Sequence, residues 1–106
     1  MDEIKSKRKI IYEIQGDIEY EYDISVRDTI NDELNNGKTV EDLIDIIQTS
    51  ESMYSNYLHA TKLANLCEKL ENIEDLNKLE NILKKLHDIS LSYEKLIKRL
   101  AEVPKL

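Results

Sequence analysis

The chain has no tryptophan, no phenylalanine, one cysteine, one proline and two glycines in 106 residues. Each scarcity closes a class of function. Two glycines cannot build the loops that wrap a backbone around phosphates, which excludes a P-loop or a dinucleotide-binding fold. A single cysteine permits no internal disulfide and no cysteine-rich zinc site. No apolar run approaches the ~18 residues that cross a bilayer, and no apolar signal-peptide core is present. The expectation is a cytoplasmic protein with no membrane partner. Acidic residues outnumber basic ones, 22 to 15, for a net charge of −7, and that charge opposes casual binding to DNA or anionic lipid.

What remains is a chain rich in leucine, isoleucine and charge, of a length that makes one small domain, residues 1–106. Its clearest punctuation is Asn35-Asn36-Gly37-Lys38-Thr39. Asn and Gly tolerate the left-handed conformation that ends a helix, and Thr39 can cap the next one. Val40, Leu43, Ile44 and Ile47 follow at helical spacing. A second boundary is expected near Ile73-Glu74-Asp75, with Asp75 as the N-cap. Beyond it Leu76, Leu79, Leu83, Leu86, Ser90, Tyr93, Ile97 and Leu100 alternate steps of three and four, the seam of a helix packed along another helix. Ile82, Ile89 and Leu96 widen that stripe, and Pro104 fits a stop just past its end.

The middle segment, 40–72, changes its apolar phase near Gln48-Thr49-Ser50-Glu51-Ser52. Ser and Thr compete for backbone hydrogen bonds, so an irregularity is expected there within one helix. The N-terminal third is ambiguous. Ile14, Ile18, Tyr22, Val26, Ile30 and Leu34 form a ladder in steps of four, which argues for a long helix. Residues 18–26 also alternate strictly, and with Gln15-Gly16-Asp17 as a turn, residues 9–26 could form a β-hairpin. Length and the lack of a turn signal before Asn35 favour the helix. The predicted fold is all-α: an antiparallel three-helix bundle with helices near 3–35, 40–72 and 75–102, the β-hairpin being the alternative for its first third. Net charge is +2 over residues 1–9, −7 over 10–36, −5 over 37–75 and +3 over 76–106. That distribution suits a basic last helix lying beside acidic earlier ones, though exposed pairs contribute only ~0.2–1 kcal/mol each.

Tyr57-Leu58-His59-Ala60-Thr61-Lys62, followed by Leu63-Ala64-Asn65-Leu66-Cys67-Glu68-Lys69-Leu70-Glu71, resembles a histidine phosphotransfer domain. Such domains are small acidic helical bundles. The resemblance implies that His59 is an exposed phosphoryl acceptor with Lys62 beside it, and it matches Cys67, Leu70 and Glu71 further on. The chain departs from the family at Leu63, where a small residue normally follows the lysine, and lacks about two helical turns after it.

Other chemistry finds less support. Neither His59 nor His87 has the Glu three residues earlier that a di-iron bundle uses. Asp42-x-x-Asp45 and Glu68-x-x-Glu71 resemble in form the acidic pairs of all-α nucleotide hydrolases that hold Mg²⁺. On a chain so acidic they read as a solvated face. Cys67 lies near Leu63, Leu66 and Leu70, as a core thiol would. The bases at Lys5, Lys7, Arg8 and Lys9, and at Lys84, Lys85, Lys95, Lys98 and Arg99, are mixed with acids, which argues against nucleic acid. Surplus tyrosines are the stronger signal, since tyrosine suits interfaces. Tyr12, Tyr20, Tyr22, Ile24, Tyr54 and Tyr57 are the candidate contact residues.

The sequence thus predicts a non-enzymatic protein-binding module with no cofactor and no metal, whose partner is another protein. Self-association as a homodimer would also cover a surplus apolar face. The alternatives are phosphotransfer through His59 and a metal-dependent nucleotide hydrolase.

Overall fold

The computed structural model of the protein describes residues 2–102. The chain folds into three helical rods in an elongated bundle of 58 × 17 × 16 Å. The first rod comprises α1 (Asp2–Tyr22), a π-helical stretch (Asp23–Asp28) and α2 (Thr29–Asn35). The second is α3 (Ile44–Asn65), with a 3₁₀ turn at each end (Glu41–Leu43 and Leu66–Lys69). The third is α4 (Ile73–Ala101). No strand occurs among the described residues, so the helix, not the hairpin, is the form of the first third. Pro104 lies outside the described residues.

The turn after the first rod is built as its sequence suggests. Gly37 takes a positive φ of 88°. Gly37 N–H donates to the Leu34 carbonyl at 3.0 Å and Lys38 N–H to the Glu33 carbonyl at 3.1 Å, the two bonds of a Schellman ending. Thr39 and Asp42 then cap each other: Thr39 N–H donates to Asp42 Oδ2 at 2.9 Å, and Asp42 N–H to Thr39 Oγ1 at 3.3 Å. This is a capping box closed by an aspartate. The start of α4 differs from expectation, because Asn72, not Asp75, is the cap. Asn72 Oδ1 accepts from Glu74 N–H at 2.7 Å. Asn72 is extended, as a cap must be, whereas Asp75 already lies inside the helix.

The expected irregularity at 48–52 is absent, and α3 runs unbroken through it. Thr49 and Ser50 turn their hydroxyls back onto the carbonyls of Asp45 and Ile46, at 2.8 and 2.7 Å, which satisfies them without opening the helix. The irregularity lies instead in the first rod. A step of four residues overshoots a full α-turn by about 40°, so the ladder from Ile18 to Ile30 would drift about 120° off its face. The π stretch places an extra residue in the turn and takes about 100° back. Ile18 and Ile30 can therefore both face the core.

Two apolar clusters fill the bundle. Ile11, Ile18, Ala60, Ala64, Cys67, Leu76, Leu79 and Leu83 form one. Leu43, Ile46, Met53 and Ile97 form the other. The seam of α4 supplies both: every member from Leu76 to Leu100 is buried or half-buried. Between Leu83 and Ile97 the seam passes Ser90, which is fully buried, and Ser25 on the first rod is buried as well. Neither hydroxyl has a hydrogen-bond partner among the described residues.

Charged groups tie the rods at their ends. Arg8 donates from Nε to the Cys67 carbonyl at 3.0 Å and from Nη2 to the Leu70 carbonyl at 2.9 Å. Lys38 donates to the Ala101 carbonyl at 2.8 Å and pairs with Glu33. Each cation meets carbonyls at a helix end, the negative end of the helix dipole, and the Cys67 carbonyl also accepts from Leu70 N–H at 3.3 Å. Between the rods, Lys7 meets Glu80 at 2.7 Å and His87 meets Glu21 at 3.0 Å. Only the second pair has the expected sense, an acid on the first rod facing a base on the last. In the first pair the signs are reversed.

Gly16 sits mid-helix, and a Cβ built there would meet nothing within 4 Å. Its φ is not positive, so Gly16→Ala removes backbone freedom from the unfolded chain without strain. Urea denaturation should show a gain of about 0.5–1 kcal/mol.

Glu80 is 8% exposed and lies between Lys7 and Lys84, each at 2.7 Å. Hydrogen bonds from these two ammonium groups hold its carboxyl below the usual value. A depressed carboxyl contributes stability above its unfolded pKa of about 4.3 and loses it as pH falls through the lower folded value. Glu80→Gln should therefore cost about 1–3 kcal/mol at pH 7. It should also flatten the acid limb of stability between about pH 5 and pH 3, measured by denaturation at each pH.

Candidate interaction surfaces

The exposed residues of α4 are arranged in rows. Ile82, Ile89 and Leu96, expected to widen the core stripe, are 43%, 43% and 40% exposed. They lie outside both clusters because α3 and the first rod cover only one side of α4. Steps of seven keep them in one line along the helix. Leu86, Tyr93 and Leu100 fall between them and are half-buried, so the run 82-86-89-93-96-100 forms a second seam of fours and threes beside the buried one. The next row is Lys78, Lys85, Ser92 and Arg99. Its three bases are exposed and make no ion pair among the described residues, unlike Lys84 and Lys98, which pair one turn back with Glu80 and Glu94 at 2.7 and 2.9 Å.

The six residues expected to form a contact surface do not make one patch. Tyr22, Tyr54 and Tyr57 gather into a cluster between the first rod and α3, with ring centroids 5.4–6.0 Å apart. Burial pushes the Tyr22 phenol above its ordinary pKa. Beside the cluster runs an open groove of about 370 Å³ lined by Tyr22, Ile30, Ile47, Ser50, Glu51, Tyr54 and Ser55. Ile24 is half-buried in the π stretch. Tyr12 is 37% exposed and donates to Glu68 Oε1 at 2.8 Å, a bond that raises its pKa. Tyr20 stands alone, 64% exposed.

His59 and Lys62 are both exposed and share a shallow depression on α3 with Ser55 and Leu58. Cys67 is fully buried in the first cluster, and burial pushes its thiol pKa up. The acidic pairs do not meet. Asp42 and Asp45 lie at one end of α3 and Glu68 and Glu71 beyond the other, about 33 Å away at 1.5 Å per residue. Among the described residues, no three carboxylate, histidine or cysteine side chains gather where one metal ion could bind them. No described helix is long and apolar enough to cross a membrane. The bases at the N-terminus are divided between tasks. Lys7 and Arg8 serve the inter-rod contacts above, leaving only Lys5 and Lys9 fully exposed.

Sequence periodicity located the residues of the α4 row but not their exposure. The signal that could have separated them is the row of bases at the same heptad interval, which a core-facing flank would not carry. No family model, curated protein or solved structure matches this chain.

Proposed function

We propose that this chain is a non-enzymatic protein–protein interaction module, serving as an adaptor, an inhibitor or a small subunit of an assembly through its helical surfaces. The observation that carries the reading is the row of Ile82, Ile89 and Leu96, three large aliphatic side chains exposed at successive heptad positions. Single exposed apolar residues are ordinary on any protein surface. A contiguous row beside a half-buried seam is the feature a packed helix would cover. Each side chain so covered adds at most ~1.5–3 kcal/mol to the association.

The test compares capture by two immobilised forms from an extract of the native host, the wild type and the triple variant Ile82→Glu, Ile89→Glu, Leu96→Glu. Far-ultraviolet dichroism checks that the variant keeps its helices, since each side chain is still more than half covered by the bundle. The variant should lose the proteins that the wild type retains. Recovery of the same proteins by both forms would overturn the reading.

A second reading rests on a specific observation: His59 is exposed with Lys62 one turn away. Phosphotransfer requires an imidazole open to its donor and a neighbouring cation to meet the phosphoryl charge. Incubation with a small-molecule phosphodonor should then give an acid-labile label on the wild type and none on His59→Gln. A label that persists in the variant ends this reading.

A further inference from the structure

Resting on the interaction reading above, we infer the class of partner: the face made by Ile82, Ile89 and Leu96 with the flanking bases Lys78, Lys85 and Arg99 docks an acidic amphipathic helix of another protein, laid along α4. The two rows are in step. Lys78 precedes Ile82 by four residues, Lys85 lies three after Ile82 and four before Ile89, and Arg99 lies three after Leu96. Each apolar side chain in the row therefore has a cation within one turn, on the same face.

The repeat selects a helix. Seven residues along α4 advance about 10.5 Å, which is also the heptad repeat of a helix packed along it. An extended strand presents its same-face side chains about every 6.6–6.8 Å and falls out of step within two positions. The apolar row spans about 21 Å, a length that four turns of a partner helix cover.

The charge selects an acidic one. Lys78, Lys85 and Arg99 make no ion pair with a carboxylate among the described residues, while the bases on the other side of α4, Lys84 and Lys98, do. The row one further round is Glu74, Asn81, Asp88, Lys95 and Glu102, net −2, and it lies farther from the apolar row than the bases do. A second copy of this chain fits badly. Two α4 helices packed antiparallel bring like flanking rows together, so Lys78 approaches Arg99 of the other copy. Packed parallel, the basic row would meet the Leu83, Ser90 and Ile97 row, which is buried in its own bundle. Nucleic acid would use the bases but leave the aliphatic row in water, and a net charge of −7 opposes it.

The probe is a synthetic 21-residue helical peptide with leucine at the two seam positions of each heptad and glutamate at the flanking positions. Its counterpart carries lysine in place of glutamate. Fluorescence anisotropy at low salt should show the acidic peptide binding the full chain at least tenfold more tightly than the basic one, with the difference shrinking as salt rises. Lys78→Glu, Lys85→Glu, Arg99→Glu should invert the preference, and Ile89→Glu should abolish binding of the acidic peptide. Equal binding of both peptides, lost in Ile89→Glu, would refute the acidic partner and leave the interaction face standing. Binding of neither peptide refutes the helical partner. If capture from the host then still depends on Ile82, Ile89 and Leu96, the broader reading survives; if it does not, both fall. A homodimer in light scattering that Ile89→Glu dissociates would assign the face to a second copy instead.

Discussion

Burial of one stripe of α4 is the constraint on which the rest of the molecule depends. Leu76, Leu79 and Leu83 are the buried α4 leucines of one apolar cluster and Ile97 its isoleucine in the other, and truncating any of them to alanine removes about 2–5 kcal/mol from a small domain. The other two rods lie against that stripe, α3 on one side and the first rod on the other, and neither has as regular a seam of its own. With 106 residues, such a core leaves little margin. The tethers at the rod ends matter for that reason. Arg8 and Lys38 bring cations to carbonyls at two helix ends from 59 to 63 residues away in the sequence.

The π stretch follows from the same constraint. α4 keeps its phase by alternating threes and fours, but the first rod carries a ladder of fours, and two rods whose phases drift apart cannot stay in contact over 50 Å. One extra residue in the turn at 23–28 resets the first rod between the two clusters. Across from it, α4 presents Ser90 in place of a large side chain, and Ser25 is buried on the rod itself. Buried hydroxyls without partners cost stability. Their place, between Leu83 and Ile97 and just beyond Ile18, is where the two apolar clusters divide.

Much of this was legible in the chain. The Asn-Asn-Gly ending and the Thr39 cap are local chemistry, fixed by a few neighbouring residues, and the α4 seam is a long periodic signal. The hairpin alternative failed because strict alternation over 18–26 is also compatible with a helix that carries a π turn. The irregularity expected at 48–52 within one helix is absent because Ser50 and Thr49 satisfy themselves on the preceding turn. Asn72 displaced Asp75 as cap because the extended residue before a helix is decided by where the preceding 3₁₀ turn stops. The tethers from Arg8 and Lys38 depend on which helix ends meet in space, and no local pattern encodes that. The tyrosines illustrate the same limit. Their number signals surplus aromatic surface, but only the packing of the first rod on α3 decides that Tyr22, Tyr54 and Tyr57 join while Tyr20 stays in water.

The exposure of Ile82, Ile89 and Leu96 is the consequence that matters most for function. A stripe wide enough to face three neighbours is carried here by a helix that has two, so one flank remains open by construction. Antiparallel packing of that open flank on its own copy would bring the flanking bases of the two helices together. On the proposed reading, a helix that covers the apolar row also supplies carboxylates at the interval of those bases. The acidity of the remaining surface works in the same direction. On that reading the net charge of −7 disfavours acidic partners elsewhere, and the basic row gives orientation as well as affinity to the helix that docks.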